Sequence, residues 1–135
     1  MLFNIKTGFN GITRRENADV AIIVSSLHKL SQMGLRFVFT DHHAYGKEST
    51  HYNDLKHLDK IDWELLRAKD FKNDPEDPGK KGRYQAEALV HREVPVEGIR
   101  GITCYNASVQ ARLSRAARQA RVETPIKVIP NWYFE

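Results

Sequence analysis

At 135 residues, the chain has room for one ordinary domain, and Leu, Ile, Val and Phe supply 34 of its positions. That share lies above the roughly one-fifth below which a charged chain stays disordered. One cysteine, Cys104, excludes an internal disulfide framework or a multi-cysteine zinc site, and 21 Lys and Arg against 17 Asp and Glu leave a net charge of +4, compatible with a nucleic-acid partner without requiring one. The longest apolar runs are too short to span a membrane and the first residues lack the pattern of a signal peptide, so the expectation is a soluble, cytoplasmic domain.

Residues 20–25 read as a short β-branched strand buried on both sides. Ser25 or Ser26 caps a helix to about Met33, and Gly34 stands where a helix stops. Residues 35–40 read as a second strand running into the polar stretch 41–46, and residues 46–60 as mostly loop. Asp62 is the expected N-cap of a short helix from Trp63 to about Ala68, with Trp63 and Leu66 inward. Asp74-Pro75-Glu76-Asp77-Pro78-Gly79 is the strongest loop signal in the chain and leads into a strand over residues 84–91. Pro95 suits the first turn of a short helical piece, and residues 99–105 read as a further strand. Asn106 caps a helix from Ala107 to about Arg121, with Val109, Leu113, Ala116, Ala117 and Ala120 at helical spacing. Arg112, Arg115, Arg118 and Arg121 form another stripe of that helix, and Pro125 stops it. Residues 126–129 make a last strand before Trp132-Tyr133-Phe134. Strands and helices alternate without a regular βαβ rhythm or a Gly-rich phosphate loop. The pattern predicts an α+β fold, a small mixed or antiparallel sheet with flanking helices. Cys104, Trp63 and Trp132 read as packing residues.

Two places carry candidate chemistry. Thr40-Asp41-His42-His43-Ala44 closes the second strand. Asp and His are metal-ligand types, but no second acidic motif accompanies them, so a polar turn and a substrate-contacting loop stand beside a metal site as readings. The second place is Glu87. Strand alternation sets Glu87, Leu89 and His91 on one face. A carboxylate in an otherwise apolar strand must be paired, solvent-facing or in a cleft, because burying it alone is costly. It is either an edge-strand surface glutamate or a pocket glutamate preceded by a basic, Pro/Gly-rich loop suited to substrate contacts.

A resemblance bears on this choice. Arg83-Tyr84-Gln85-Ala86-Glu87-Ala88-Leu89-Val90 resembles the Arg-x-Gln-Ala-Glu-x-Leu-Val motif of DarT-type DNA ADP-ribosyltransferases. Phe39-Thr40-Asp41-His42-His43-Ala44 resembles that family's Phe-Thr-Asp-x-His-Ala, with His43 at the family histidine. Val94-Pro95-Val96-Glu97-Gly98-Ile99 with Gly101-Ile102, Asp62-Trp63, Trp132-Tyr133-Phe134 and the opening Met1-Leu2-Phe3-Asn4-Ile5-Lys6-Thr7-Gly8 agree in order. The resemblance implies transfer of ADP-ribose from NAD to thymine bases of single-stranded DNA, without a metal, by a toxin paired with an antitoxin that removes the mark. It implies Glu87 as the catalytic glutamate, preceded by a substrate loop over roughly residues 72–86. Lys80, Lys81 and Arg83 are the expected phosphate contacts, Tyr84 a base-stacking residue, and His43 a ribose or base contact. The family stretch matching Met1 to Gly8 is preceded by a segment with a histidine-containing NAD motif and a catalytic arginine, a role not carried over to Arg14 or Arg15, which lie after the matched stretch. Residues 1–135 are therefore expected to form a single, N-terminally incomplete transferase domain, like the C-terminal two-thirds of the family fold. The alternative expectation is an incomplete domain that binds DNA or an antitoxin without turnover.

Overall fold

Capping chemistry sets the helix boundaries in the computed structural model, which describes residues 2–134; Met1, the first residue of the family-like stretch, lies outside them. Helices α1 (Leu2–Thr7), α2 (Leu27–Gln32), α3 (Trp63–Ala68), α4 (Lys80–Arg83) and α5 (Ala107–Gln119) are all short except the last. At the start of α3 the Asp62 carboxylate accepts the Leu65 N–H at 3.0 Å. At the start of α5, Asn106 Oδ1 accepts the Val109 N–H at 3.0 Å. Each side chain satisfies a donor that the first helical turn leaves open. Gly34 ends α2 with a φ of 72°, a left-handed conformation that other residues adopt only at a cost. Its N–H bonds the Ser31 carbonyl while the Leu35 N–H bonds the Leu30 carbonyl, the paired return contacts of a glycine stop.

The strands are β1 (Ile22–Val24), β2 (Phe37–Thr40), β3 (His51–Tyr52), β4 (Ala88–Val90), β5 (Gly101–Cys104) and β6 (Ile126–Val128). The chain divides into two compact units, Met1–Ser26 with Pro95–Glu135, and Leu27–Val94. The first holds a mixed sheet in the order β1-β5-β6, with β1 antiparallel and β6 parallel to the central β5. A parallel step needs a long crossover, and α5 provides it. Cys104 in β5 is fully buried, as expected of a small core residue, beside Val109 and Tyr133. The Tyr133 hydroxyl donates a hydrogen bond shared between the Thr103 and Val20 carbonyls at 3.0 and 3.1 Å.

The second unit holds an antiparallel sheet, β3-β2-β4. Its core is built on Phe39, Leu30 and Ile61, with the Phe39 ring stacked on Tyr52 at 5.5 Å between centroids. Register pairs Phe37 with Val90 and Phe39 with Ala88. That pairing brings the end of β2 to the start of β4.

The α+β class and the order of the main elements agree with the sequence reading, and the differences have local causes. Ile23 is 66% exposed rather than buried on both sides, because successive strand side chains point to opposite faces and only the face carrying Ile22 and Val24 is partly covered. Trp63 and Trp132 are each 43% exposed rather than packed inside. The Trp63 indole N–H is instead held by the Leu58 carbonyl at 2.7 Å. The expected loop at residues 46–60 contains β3 and a 3₁₀ turn, Leu55–Lys60. The strand expected over residues 84–91 begins only at Ala88. The N–H groups of Tyr84, Gln85 and Ala86 bond back to Lys80, Gly82 and Arg83 and are lost to a sheet. Glu87 thus stands at the mouth of β4.

Candidate active site

Glu87 is fixed twice, once by its backbone and once by its carboxylate. The Thr40 N–H donates to the Glu87 carbonyl at 2.9 Å, extending the β2–β4 ladder by one residue. Returning the contact, the Glu87 N–H donates to Thr40 Oγ1 at 3.3 Å. Thr40 is fully buried, and its hydroxyl also donates to the His42 carbonyl. One hydroxyl therefore ties Glu87 to the turn that follows β2. Glu87 Oε1 accepts the Ala44 N–H at 2.8 Å. Its side chain is 41% exposed, and Oε2 has no hydrogen-bond partner among the described residues. A half-exposed carboxylate with one oxygen anchored and one open is a preorganised acceptor.

The turn at residues 41–46 is held by Asp41. Its Oδ1 accepts the Thr50 N–H and the His42 Nδ1–H, both at 2.9 Å, and its Oδ2 accepts the Tyr52 hydroxyl at 3.2 Å. Burial alone pushes this carboxyl up, but the bonds from His42, Thr50 and Tyr52 outweigh it and hold the Asp41 pKa below 3.8. The His43 N–H donates to the Gly82 carbonyl at 3.0 Å, and the Gly46 N–H to the His43 carbonyl at 2.8 Å. Gly82 allows the close approach, since a Cβ there would stand 3.0 Å from His42 Cδ2. His43 Nδ1 lies 3.6 Å from Glu87 Oε1, beyond hydrogen-bond range, and accepts the Tyr45 N–H at 3.2 Å. A neutral His43 ring therefore carries its proton on Nε2. The two halves of the sequence motif thus separate in role. Asp41 and His42 support the turn, while His43 stands beside Glu87. Among the described residues, no group of three or more His, Cys, Asp or Glu side chains is placed to hold a metal ion.

The segment before Glu87 departs from the expected row of free cations. Lys80 is 8% exposed, with its ammonium on Asp70 Oδ2 at 2.7 Å. Arg83 bridges two carboxylates, donating from Nε to Asp62 and from Nη1 to Asp77, each at 3.0 Å. The helix cap at Asp62 thereby doubles as an anchor for the residue four before Glu87. Hydrogen bonding holds all three acids low: Asp62 by the Leu65 N–H and then Arg83, Asp70 by Lys80, and Asp77 by Arg83. Lys80 and Arg83 are raised, chiefly by Asp70 and Asp77 respectively. Of the three expected phosphate contacts, only Lys81 is exposed and outside these pairs. Tyr84 is not an open platform either. Its hydroxyl donates to the Phe71 carbonyl at 3.2 Å, and its ring meets the Phe71 ring edge-on at 5.2 Å.

In sum of positions, Glu87 and His43 are brought together across 44 residues of chain by the β2–β4 pairing. Thr40, Asp41 and the Ala44 N–H support them; the family-like stretch Phe39-Thr40-Asp41-His42-His43-Ala44 singled out their place in the chain but not these supporting roles.

Comparison with known proteins adds four observations. Residues 1–134 match the family model described as ssDNA thymidine ADP-ribosyltransferase, DarT. The chain is 42% identical over 134 residues to a DNA ADP-ribosyl transferase of Escherichia coli O127:H6 (strain E2348/69 / EPEC), covering 99% of this chain and 62% of that protein. Among solved structures, Thermus sp. 2.9 DarT in complex with NAD+ superposes with a TM-score of 0.88 at 25% identity, over 98% of this chain and 66% of the other. The same protein in complex with ADP-ribosylated ssDNA gives a TM-score of 0.86 at 26% identity, over 98% and 63%. The chain thus spans about three-fifths of the length of the Escherichia coli relative.

Proposed function

The chain belongs to the DarT family, and from that premise we propose that it transfers ADP-ribose from NAD to thymine bases of single-stranded DNA. The observation that carries the reading is the state of Glu87, with Oε1 anchored by the Ala44 N–H and Oε2 open. The fit to NAD is chemical: a ribose hydroxyl is a donor, and an anchored carboxylate with a free oxygen accepts it. NAD supplies a glycosidic bond whose cleavage releases nicotinamide and leaves positive charge on the ribose. In this reading Glu87 orients the sugar through a hydroxyl and stabilises that charge, an interaction stronger in the transition state than in the ground state. His43, whose Nδ1 accepts the Tyr45 N–H, is the neighbouring ribose or base contact. Single-stranded DNA presents the base edge without an unpairing cost. Lys81 is the phosphate contact of the segment, while Lys80 and Arg83 hold its shape and Tyr84 packs on Phe71.

The biological setting belongs to the same proposal. Modifying thymine in a cell's own DNA is toxic, so the protein acts as the toxin of a pair, in the cytoplasm, with an antitoxin that removes the mark. What supports that setting is the match to a family described by modification of thymidine in single-stranded DNA. Among the described residues no helix is long and apolar enough to cross a membrane.

Glu87→Gln tests the chemistry. Gln keeps the volume and one acceptor but removes the charge, and loss of one preorganised electrostatic contact costs ~10²–10³ in rate. The measurement is incorporation of label from NAD into a thymine-containing oligonucleotide, with a thermal melt to confirm folding. A folded Glu87→Gln protein with undiminished transfer removes Glu87 from the mechanism.

A further inference from the structure

Tyr45 is 96% exposed, whereas the other large exposed apolar residues range from 37% to 66%. Its ring rests on almost nothing of its own chain and adds nothing to the core. Scattered exposed apolar residues are ordinary; the position of this one is not. Tyr45 follows Ala44, whose N–H is the anchor of Glu87 Oε1, so its Cα lies one peptide unit, about 3.8 Å, from that anchor residue's Cα. Its own N–H is bonded to His43 Nδ1 at 3.2 Å. The backbone beneath the ring is further held through Thr50 to Asp41, His43 to Gly82 and Gly46 to His43.

Two exposed lysines belong to the backbone segments that form this turn and meet it. Lys47 stands two residues beyond Tyr45, and Lys81 precedes Gly82, the residue that accepts the His43 N–H. An open aromatic face on a fixed backbone, with exposed lysines on the adjoining segments, is the kind of surface that single-stranded nucleic acid uses, because every base has a face to stack and every linkage a phosphate. Tyr84, the aromatic residue expected in this role from sequence, is engaged with Phe71.

We propose that Tyr45 is the stacking platform for a base of the DNA strand, a residue that positions the substrate beside Glu87; this rests on the transfer activity proposed above. Stacking is indifferent to the tyrosine hydroxyl, so Tyr45→Phe retains function and Tyr45→Ala does not. Tyr45→Ala raises both the Kd for a thymine-containing oligonucleotide and its KM about tenfold. The KM for NAD and the melting temperature stay at wild-type values, because the ring touches neither NAD's ribose anchor nor the core.

The test measures anisotropy of a labelled oligonucleotide, with each base replaced in turn by an abasic site, for the wild type and both variants. The loss caused by Tyr45→Ala disappears at one abasic position and persists at the others if a base stacks on the ring. Wild-type affinity of Tyr45→Ala, a Tyr45→Phe variant as weak as Tyr45→Ala, or a loss unaffected by every abasic position overturns the inference. Transfer of label from NAD, measured in parallel, separates the two readings. Wild-type transfer with a silent Tyr45→Ala sinks stacking alone; absence of both transfer and DNA binding in the wild type sinks both.

Discussion

Thr40 holds Glu87 by the backbone, while Ala44 holds it by the carboxylate. The Thr40 hydroxyl is fully buried and takes part in contacts to His42 and Glu87. Thr40→Val keeps the shape but strands the Glu87 N–H and the His42 carbonyl, and an unsatisfied buried polar group costs about 1–3 kcal/mol. Thr40→Ser keeps the hydroxyl and loses a methyl group, a cost of about 1 kcal/mol. Both variants melt below wild type, so stability does not tell a hydroxyl role from a packing role. Transfer does. Thr40→Ser is expected to retain close to the wild-type kcat, and Thr40→Val to lose at least severalfold with little change in the KM for NAD. If the two variants rank the other way, packing and not the hydrogen bond positions Glu87.

At the scale of elements, the segment from Asp70 to Arg83 is held by charge. Lys80–Asp70 and Arg83 with Asp62 and Asp77 are contacts across 10, 21 and 6 residues. Arg83→Lys keeps the charge but cannot donate from one planar fork to two carboxylates. It is expected to lower the melting temperature and to open residues 70–79 to protease. Lys81→Ala is expected to leave both unchanged and to reduce the log–log salt slope of oligonucleotide binding by about 0.7, one phosphate on a single strand. An unchanged slope for Lys81→Ala removes that lysine from the interface. These assignments mark where the sequence was readable. Caps are local chemistry, so Asp62, Asn106 and Gly34 gave the bounds of three helices nearly to the residue. Family-like motifs singled out Glu87 and His43. What escaped was non-local: the acid partners of Lys80 and Arg83 are set by the fold, and so their charge looked free. β3, at two residues, is too short to show alternation. α4 is hidden because its residues follow Pro78-Gly79, which read as loop. Tyr45 carries no sequence signal at all, since only exposure distinguishes it.

Across the whole molecule, the shifted acidic groups among the described residues divide along the two units, while the raised Lys80 in Leu27–Val94 loses its contribution only above its ordinary 10.5. The aspartates held below their ordinary value, Asp41, Asp54, Asp62, Asp70 and Asp77, all lie in Leu27–Val94. A carboxyl with a depressed folded pKa contributes stability that is fully present above its unfolded pKa. That stability fades as the pH falls below 3.8 toward the folded value, because the unfolded chain takes up the proton first. Cys104 and Tyr133 lie in the other unit, and burial pushes both above their ordinary values of 9.0 and 10.0. For these acids the sign reverses. Their neutral forms favour the fold, the unfolded chain loses its protons first, and stability falls as the pH rises past about 9. Leu27–Val94 is therefore expected to be the acid-labile unit, and the unit carrying Cys104 and Tyr133 the alkali-labile one. The two tryptophans make the test direct, since Trp63 belongs to Leu27–Val94 and Trp132 to the unit carrying Cys104 and Tyr133. In a Trp132→Phe variant, Trp63 emission reports the acid-labile unit; in Trp63→Phe, Trp132 emission reports the other. Falling pH should move the Trp63 signal at a higher pH than the Trp132 signal, and rising pH should move the Trp132 signal first. Coincident transitions in both directions would mean that the units unfold as one, and that the separation of charge along the chain has no consequence for stability.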